Sequence, residues 1–318
     1  DDVQMPPKNR LTEPQIAAVR HWIETGAVWP EHNDFGKASA VNIDAWKHHW
    51  AFQPIADPPM PEIYQDGWHP LDAFIRQTLK DKGIAPSPSA DARTLVRRLS
   101  FSLIGLPPKS EDLNTAANIK DPPELYRWLD GYADQLLAMP QFGERWGRYW
   151  LDIARYADTK GYVFTEDREY KDAWRYREWV IRSLNDDMPY DEFLRRQIAA
   201  DRLPGSDDPA QLAAMGFLTL GRRFLNNQQD IIDDRIDVLS RGTMGLTVTC
   251  ARCHDHKFDP IPTADYYSLY GVFDSSNEPK DDPSPLRLVD RDKPREPVIF
   301  VRGSAGNRGD RVSRHFLT

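Results

Sequence analysis

The sequence has very little cysteine, no long apolar run and no excess of positive charge. Its only two cysteines are Cys250 and Cys253, and both lie in one short motif, so none is left over for a structural disulfide. No run of about 18 apolar residues occurs, which predicts that the chain has no membrane span. The formal net charge of −8 argues against nucleic acid as the main partner, because binding to phosphates requires a basic face.

The start of the chain has no apolar segment typical of a signal peptide. It begins with Asp1-Asp2-Val3-Gln4-Met5, without an initiator methionine. We therefore interpret the sequence as a processed form or as a fragment of a longer protein. Its 40% apolar and 28% charged residues are typical of a globular protein.

The two cysteines occur in the run Cys250-Ala251-Arg252-Cys253-His254. This spacing is the attachment signature of a c-type haem. Two thiols three residues apart can reach the two vinyl groups of one porphyrin, and the next histidine is then placed to ligate the iron. The motif predicts one haem c in this chain, with Cys250 and Cys253 as thioether anchors and His254 as the proximal ligand. Because haem is attached outside the cytoplasmic membrane, the motif also predicts a periplasmic or exported protein.

Three alternatives to haem remain open for this motif. The cysteines could form a redox disulfide, although that use normally accompanies a βαβ pattern. Cys250, Cys253, His254 and His256 could bind zinc, but four ligands crowded into seven residues would close poorly around a tetrahedral ion. The cysteines could also be buried structural residues beside a helix end.

The sixth ligand of the iron is open. His256 follows His254 too closely to reach the other face of the same haem. With Asp255 and Asp259 it is better placed to fix the loop or to form hydrogen bonds to the iron ligand. A filled sixth position would indicate electron transfer, and an empty one would permit peroxide or substrate chemistry. The candidate distal ligands are Met215, Met244, His48 and His49.

Hydrophobic periodicity predicts a mainly α fold, an irregular multi-helix domain around the covalently bound haem with long Pro-rich connections and little strand. Residues 297–303 are the best candidate strand. We expect Leu95, Leu99, Phe101 and Leu103 to face a core, and likewise the stripe Trp146, Tyr149, Trp150, Ile153 and Tyr156. Arg145, Asp152 and Arg155 are placed for ion pairs within their own helix. The helical segments are 11–26, 70–83, 90–105, two within 123–158, 173–185, 190–201, 212–218, 231–242 and 263–273.

The middle of the chain is dense in tryptophan, tyrosine, arginine and aspartate. Arginine beside aromatic rings suits an anionic or carbohydrate ligand, and it equally suits a buried network of salt bridges. The paired Arg97 and Arg98 are interpreted as surface charge or as a site for a haem propionate. The candidate ligand-binding residues are Tyr162, Asp167, Arg168, Arg177 and Asp201.

Several runs occur in order along the chain and together point to a known family. They are Met5-Pro6-Pro7 with Trp22 to Pro30, His49 to Pro54, Leu95-Val96-Arg97-Arg98 with Gly105-Leu106-Pro107-Pro108, Arg145 to Asp158, Trp174-Arg175-Tyr176-Arg177, Cys250 to Ile261, and Phe300 to Gly309. The chain resembles the multidomain proteins of planctomycetes and related bacteria that carry an N-terminal cytochrome c domain followed by two conserved domains of unknown function.

The resemblance implies how the chain is divided. It implies a cytochrome c tail at 1–30, a Pro-rich linker at 31–69, a helical haem c domain at 70–278, a linker at 279–295 and the start of a further domain at 296–318. Met5 would be an axial ligand of a second haem held by an N-terminal part that precedes this sequence. Two features depart from the family: the cytochrome domain's own Cys-x-x-Cys-His is absent, and only about twenty residues separate the two unknown domains.

The sequence therefore predicts a periplasmic c-type haem protein, iron-binding through the haem, that acts in electron transfer or as an oxidoreductase. Its partner would be a redox protein or a small-molecule or carbohydrate substrate. The alternative is a polysaccharide-directed enzyme or binding module, in which the haem is an electron acceptor or structural. A third interpretation is a scaffold protein stabilised by haem. The resemblance transfers no catalytic residue.

Overall fold

The structure is a computed structural model that describes residues 11–27, 45–65, 69–160, 169–279 and 286–317. It divides into two units, Asp1–Phe52 and Gln53–Thr318. The described chain is mainly helical, which confirms the predicted fold class at that level. No helix among the described residues is long and apolar enough to cross a membrane.

Among the residues that the structure describes, the first unit contains one α-helix, α1 (Glu13–Glu24), and two short 3₁₀ turns at Ala45–His48 and Trp50–Phe52. Thr12 precedes the helix as its N-cap, and its amide donates to Oε1 of Gln15 at 2.9 Å. This is the reciprocal half of a capping box, so the local sequence defines the start of the helix. None of the residues of α1 is buried.

The second unit contains the remaining helices and four short strands. One of the helices, α4, is not predicted by the sequence analysis. The strands form two antiparallel pairs, β1 with β2 and β3 with β4. The elements are α2 (Pro70–Asp81), α3 (Ala92–Leu103), α4 (Ser110–Asn118), α5 (Pro122–Leu137), α6 (Pro140–Ile153), α7 (Ala173–Asn185), α8 (Tyr190–Ala199), α9 (Pro209–Leu212), α10 (Gly216–Thr219), α11 (Gln228–Met244), α12 (Thr263–Asp274), β1 (Ser276–Asn277), β2 (Val289–Asp290), β3 (Val298–Phe300) and β4 (Arg308–Arg311).

Two separate hydrophobic cores hold this unit together. The smaller core lies between α3, α4 and α5 and is formed by Val96, Ile104, Ala116, Leu129, Tyr132 and Leu136. The larger core is formed by α7 to α12 and the segments that follow them, with Trp179, Tyr176 and Phe217 among its largest fully buried side chains. Residues 279–295 carry Leu286 and Leu288 into this larger core.

Helix α6 presents a different face to the core from the one its aromatic stripe predicts. Trp146, Tyr149 and Ile153 are 42%, 45% and 42% exposed, so that part of the prediction is wrong. The buried positions of α6 are Gly143 and Gly147. A Cβ on Gly143 would lie 2.4 Å from the carbonyl oxygen of Ile181 on α7. The absence of side chains lets the two helices approach closely, and this approach decides which face of α6 is buried.

The inward face predicted for α3 is also partly wrong. Its buried residues are Val96 and Ser100, whereas Phe101 is 37% exposed. The guanidinium carbon of Arg97 lies 4.5 Å from the centre of the Phe101 ring. Phe101 therefore lies at the surface beneath a cation rather than in the core.

Candidate functional site

The cysteine motif lies on a 3₁₀ turn, Val248–Arg252, in the connection between α11 and α12. A 3₁₀ turn has three residues per turn, so side chains three apart eclipse one another. Cys250 lies in the turn and Cys253 directly follows it, and both are exposed free thiols. Val248 and Ala251 are buried and fix the turn from the inside. The exposure of both cysteines overturns the alternative that they are buried structural residues.

Arg252, between the two cysteines, anchors the motif to the neighbouring helices. Its Nη1 donates to Oδ1 of Asp230 at 3.0 Å and lies 3.7 Å from Oδ2 of Asp233, both on α11. The Tyr267 hydroxyl on α12 donates to the Arg252 carbonyl at 2.9 Å. Burial by itself would lower the pKa of Arg252, but the hydrogen bond to Asp230 and the nearby Asp233 raise it. The arginine thus remains a charged tether for the turn.

His254 is exposed, and one of its ring nitrogens forms a hydrogen bond within the protein. Its Nδ1 lies 2.7 Å from the carbonyl oxygen of Asp255. A carbonyl only accepts, so Nδ1 carries the proton and Nε2 carries the lone pair. A histidine that donates through one nitrogen to a backbone carbonyl is oriented to ligate a metal through the other. Asp255 in turn accepts from the amide of Thr263 at 2.8 Å, which fixes the start of α12.

His256 has hydrogen bonds at both ring nitrogens. Its Nδ1 accepts from the amides of Asp259 at 2.8 Å and Phe258 at 3.3 Å. Its Nε2 therefore carries the proton and donates to Oγ1 of Thr247 at 3.0 Å. The side chain is only 7% exposed. His256 accordingly ties the loop after the motif to the residue before it.

The ligand set of the zinc alternative is not assembled in this geometry. No group of three or more histidine, cysteine, aspartate or glutamate side chains among the described residues is arranged to hold a metal ion. His256 would have to release its backbone amides or Thr247 to join Cys250, Cys253 and His254. A preformed four-ligand site is therefore not a feature of the described chain.

A turn after β3 packs directly against the motif, which the sequence did not predict. Arg302 and Gly303 adopt left-handed conformations with φ of 53° and 73°. A Cβ on Gly303 would lie 2.7 Å from the Sγ of Cys253. The Tyr267 hydroxyl also lies 3.2 Å from the carbonyl oxygen of Phe300. The glycine in this run thus provides the space that Cys253 occupies.

The donors present fit a c-type haem. Two exposed thiols lie three residues apart, in and directly after a turn, and the next residue is an exposed histidine whose Nε2 is available as a ligand. These are the three protein atoms that covalent attachment and proximal ligation require. The buried residues of the turn and the Arg252 tether hold them in place without help from a disulfide.

The candidate distal ligands lie in different environments. Met215 is buried in the larger core, whereas Met244 is exposed at the end of α11. His48 and His49 belong to the first unit, where Nδ1 of His49 accepts from the amide of Ala51 at 3.3 Å. Met5 lies outside the described residues.

The two candidate ligand-binding residues that the structure describes, Arg177 and Asp201, do not line the same cavity. Tyr162, Asp167 and Arg168 lie outside the described residues. Arg177 on α7 pairs with Glu178 at 3.3 Å. Asp201 lines a cavity of about 540 Å³ whose walls are mostly apolar, and Arg177 is not among the residues that line it. Those residues are Ile198, Ala199, Asp201, Arg202, Met215, Leu218, Leu239, Thr243, Leu269, Val272, Phe273, Ser276, Leu288, Asp290, His315 and Phe316.

Asp201 forms an ion pair with Arg202, which also contacts Asp290. Burial raises its pKa, although the neighbouring Arg202 at 3.3 Å opposes that change. Arg202 also contacts Asp290, which lines the same cavity. The arginine therefore bridges two carboxylates and offsets part of their negative charge.

Several arginines of the middle region form buried salt bridges. Arg155 donates through Nε to Asp234 at 2.9 Å and through Nη1 to the Phe217 carbonyl at 2.6 Å. It adopts φ of 48° just after α6, so the predicted pairing within its own helix is wrong. A second group joins Arg223 and Arg235 to Glu278. These three arginines lie outside the run 162–201 that holds the candidate ligand-binding residues, so for that run both a ligand site and a salt-bridge network stay predictions.

The family model for PSCyt2, a protein of unknown function (DUF1549), matches residues 70–278. The chain belongs to the PSCyt2 family. This match includes the cysteine motif and both cores, and it agrees with the resemblance to planctomycete proteins as far as this one domain. No curated protein and no solved structure matches the chain. The other proposed boundaries, at 1–30, 31–69, 279–295 and 296–318, stay predictions.

Proposed function

We propose that this PSCyt2-family chain is a periplasmic or exported c-type haem protein that works in electron transfer or as a haem-linked oxidoreductase. The observation that supports it best is the geometry of the motif. Cys250 is exposed in a 3₁₀ turn and Cys253 is exposed directly after it, and Nδ1 of His254 is bonded to the Asp255 carbonyl.

Each residue of the motif would have a distinct part. Cys250 and Cys253 would hold the porphyrin through thioethers, and His254 would ligate the iron through Nε2. When bound, the haem supplies one-electron redox chemistry. The Asp255 carbonyl keeps the His254 ring in one tautomer, which makes its lone pair available without loss of a proton. Arg252 and His256 keep the turn and the loop in place.

The test is to produce the full chain with an export signal in a host that attaches haem, and to extract it with acidic acetone. We expect one non-extractable haem per chain by the pyridine haemochrome assay. Cys250→Ser and Cys253→Ser should each leave a single thioether, which shifts the absorption band of that product. His254→Ala should change the spectrum of the attached haem, whereas the exposed His21→Gln should not.

A chain that carries no haem under these conditions would contradict the proposal. Metal analysis for zinc on Cys250, Cys253 and His254 would then be the next measurement. If haem is attached, the spin state of the oxidised protein separates the two roles. A six-coordinate low-spin iron indicates electron transfer, and a five-coordinate iron indicates substrate chemistry.

The polysaccharide-directed alternative remains a proposal with less support. Asp201 and Asp290 place two carboxylates in one cavity, which glycoside hydrolysis would need. Their shared partner Arg202 offsets part of their charge, and the walls are mostly apolar. Cleavage of a polysaccharide that Asp201→Asn abolishes would favour this alternative.

A further inference from the structure

Two separate runs of sequence, 94–102 on α3 and the run around Arg145 on α6, meet at one cavity. The cavity has a volume of about 500 Å³ and is lined by Thr94, Arg97, Arg98, Phe101, Ser102 and Arg145. Three of its six lining residues are arginines, and none is an acid. In a chain with a net charge of −8, this is a strong local excess of positive charge.

None of these three arginines has an ion-pair partner among the described residues. Arg97 is stacked over Phe101, with its guanidinium carbon 4.5 Å from the ring centre. Arg145 is stacked over Tyr149 at 5.1 Å, and its Nε is buried without a hydrogen-bond acceptor. The carboxylate in contact with the lining residues is Asp91, which is occupied in capping α3 through Thr94. A buried donor without an acceptor is costly unless a ligand supplies one.

Gly105 explains how Arg145 reaches this position. Gly105 follows α3 with φ of 72°, and a Cβ there would lie 2.9 Å from Cδ of Arg145. The arginine side chain therefore crosses the turn through space that only glycine leaves open. The stacked rings hold Arg97 and Arg145 in defined orientations, which reduces the entropy lost when their donors bind a ligand.

We propose that Arg97, Arg98 and Arg145 form a binding site for an oxyanion group, a carboxylate, sulfate or phosphate, on a small ligand. Guanidinium groups match the geometry of such oxyanions and bind them through two parallel hydrogen bonds. The hydroxyls of Thr94 and Ser102 line the same cavity and add neutral polar contacts. The Phe101 ring at its edge suits a ligand whose anionic group is attached to a ring or another apolar part. This site shares no lining residue with the cysteine motif.

The test is isothermal titration of the full chain with citrate, inorganic sulfate and inorganic phosphate. Sodium chloride of equal ionic strength serves as the blank. We expect one binding site per chain. Arg97→Gln, Arg98→Gln and Arg145→Gln should each weaken it by about tenfold or more, the loss typical of a hydrogen bond to a charged group. Arg148→Gln is the matched control, because Arg148 is an exposed arginine on the same helix that does not line the cavity.

The outcomes separate clearly. Binding that the three variants weaken and Arg148→Gln does not supports the site, and the tightest of the three anions identifies the oxyanion. If the added anions bind the haem-free chain but not the haem-loaded chain, a haem propionate already occupies the site. Absence of binding for all three anions, or an equal loss in Arg148→Gln, overturns the proposal. If Arg145→Gln fails to fold, Arg97→Gln and Arg98→Gln decide, because those side chains are exposed.

Discussion

At the residue scale, Glu278 is the acid on which two arginines depend. It follows β1 and contacts both Arg223 and Arg235, and the Arg235 side chain is only 2% exposed. Burial alone would raise the pKa of Glu278, but the hydrogen bonds and charges of the two arginines hold it below its usual range. Arg235 also donates through Nε to the Leu218 carbonyl, so it has no route to solvent.

The substitution Glu278→Gln should therefore be strongly destabilising, because it removes the carboxylate that two largely buried arginines share. We expect the free energy of unfolding to fall by about 3 kcal/mol, the low end for a broken buried pair, since Glu278 is 23% exposed. Urea denaturation provides the measurement. Glu296→Gln is the control, because its pair with Arg311 is exposed and should contribute less than about 1 kcal/mol. Equal losses in the two variants would contradict this interpretation.

The depressed pKa of Glu278 also predicts how stability depends on pH. Its folded-state pKa lies below the usual 4.5, so the stability it contributes is present above the unfolded pKa and is lost as the pH falls through the folded pKa. The wild-type chain should lose stability on acidification below about pH 4.5 in excess of Glu278→Gln. Denaturant midpoints of both proteins from neutral to acidic pH measure this. Parallel curves would show that Glu278 is not the group that titrates.

At the element scale, the contact between α6 and α7 depends on glycine. Gly143 and Gly147 face Ile181 on α7, and the Gly143 amide donates to Oδ1 of Asn185 at 2.8 Å. Asn185 also donates to the Pro140 carbonyl at 3.1 Å. The C-terminal end of α7 is thus bonded to the first turn of α6.

We expect Gly143→Ala to destabilise the protein by about 2 kcal/mol, because its Cβ would overlap the Ile181 carbonyl and the helices would have to separate. Gly131→Ala is the matched control within helix α5, where no atom lies within 4 Å of the new Cβ. That change should instead stabilise by about 0.5–1 kcal/mol, the difference in helix propensity. Thermal unfolding measures both changes. If Gly143→Ala stabilises the protein, the two helices α6 and α7 leave room for a methyl group at this position.

The turn that packs on the cysteine motif gives a second matched pair. Gly245 and Gly303 have φ of 71° and 73°, but only Gly303 has a neighbour at its Cβ position, the Cys253 Sγ. Alanine at either site should cost about 1 kcal/mol for the left-handed conformation. Gly303→Ala should cost more and should also increase the rate at which Cys253 is alkylated, because the turn must move away. Unchanged alkylation in Gly303→Ala would show that the turn does not cover the thiol.

At the scale of the whole molecule, the first unit buries little among the residues that the structure describes. Its helix α1 has 12 residues and none is buried. An isolated helix of about this length is marginal in water. The second unit contains both hydrophobic cores and the salt bridges described above.

A chain of residues 53–318 should therefore fold with the same midpoint of thermal unfolding as the full chain. Its helical circular dichroism should fall only by the contribution of α1. Differential scanning calorimetry checks the midpoint, and the spectrum checks the helix content. A lower midpoint in the shorter chain would show that the first unit stabilises the second.

The sequence by itself determined where most helices begin and end and which residues carry the candidate chemistry. Thr12 and Asp91 precede helices at the expected positions, and Gly83 and Gly245 follow helices in left-handed conformations. Such signals are local, because caps and terminal glycines act on backbone groups within one turn. The Cys250-to-His254 spacing is likewise readable without a fold.

Only the tertiary structure decided which faces are buried and which charges meet. Two glycines, rather than the aromatic stripe, define the buried face of α6, because the closest approach of a helix is set by the smallest residues. Arg155 forms a hydrogen bond with Asp234, 79 positions along the chain, and hydrophobic periodicity does not predict pairs at that separation. Arg97 and Arg145 meet at one cavity for the same reason: contacts between distant residues depend on how the helices pack, and packing is a property of the whole chain.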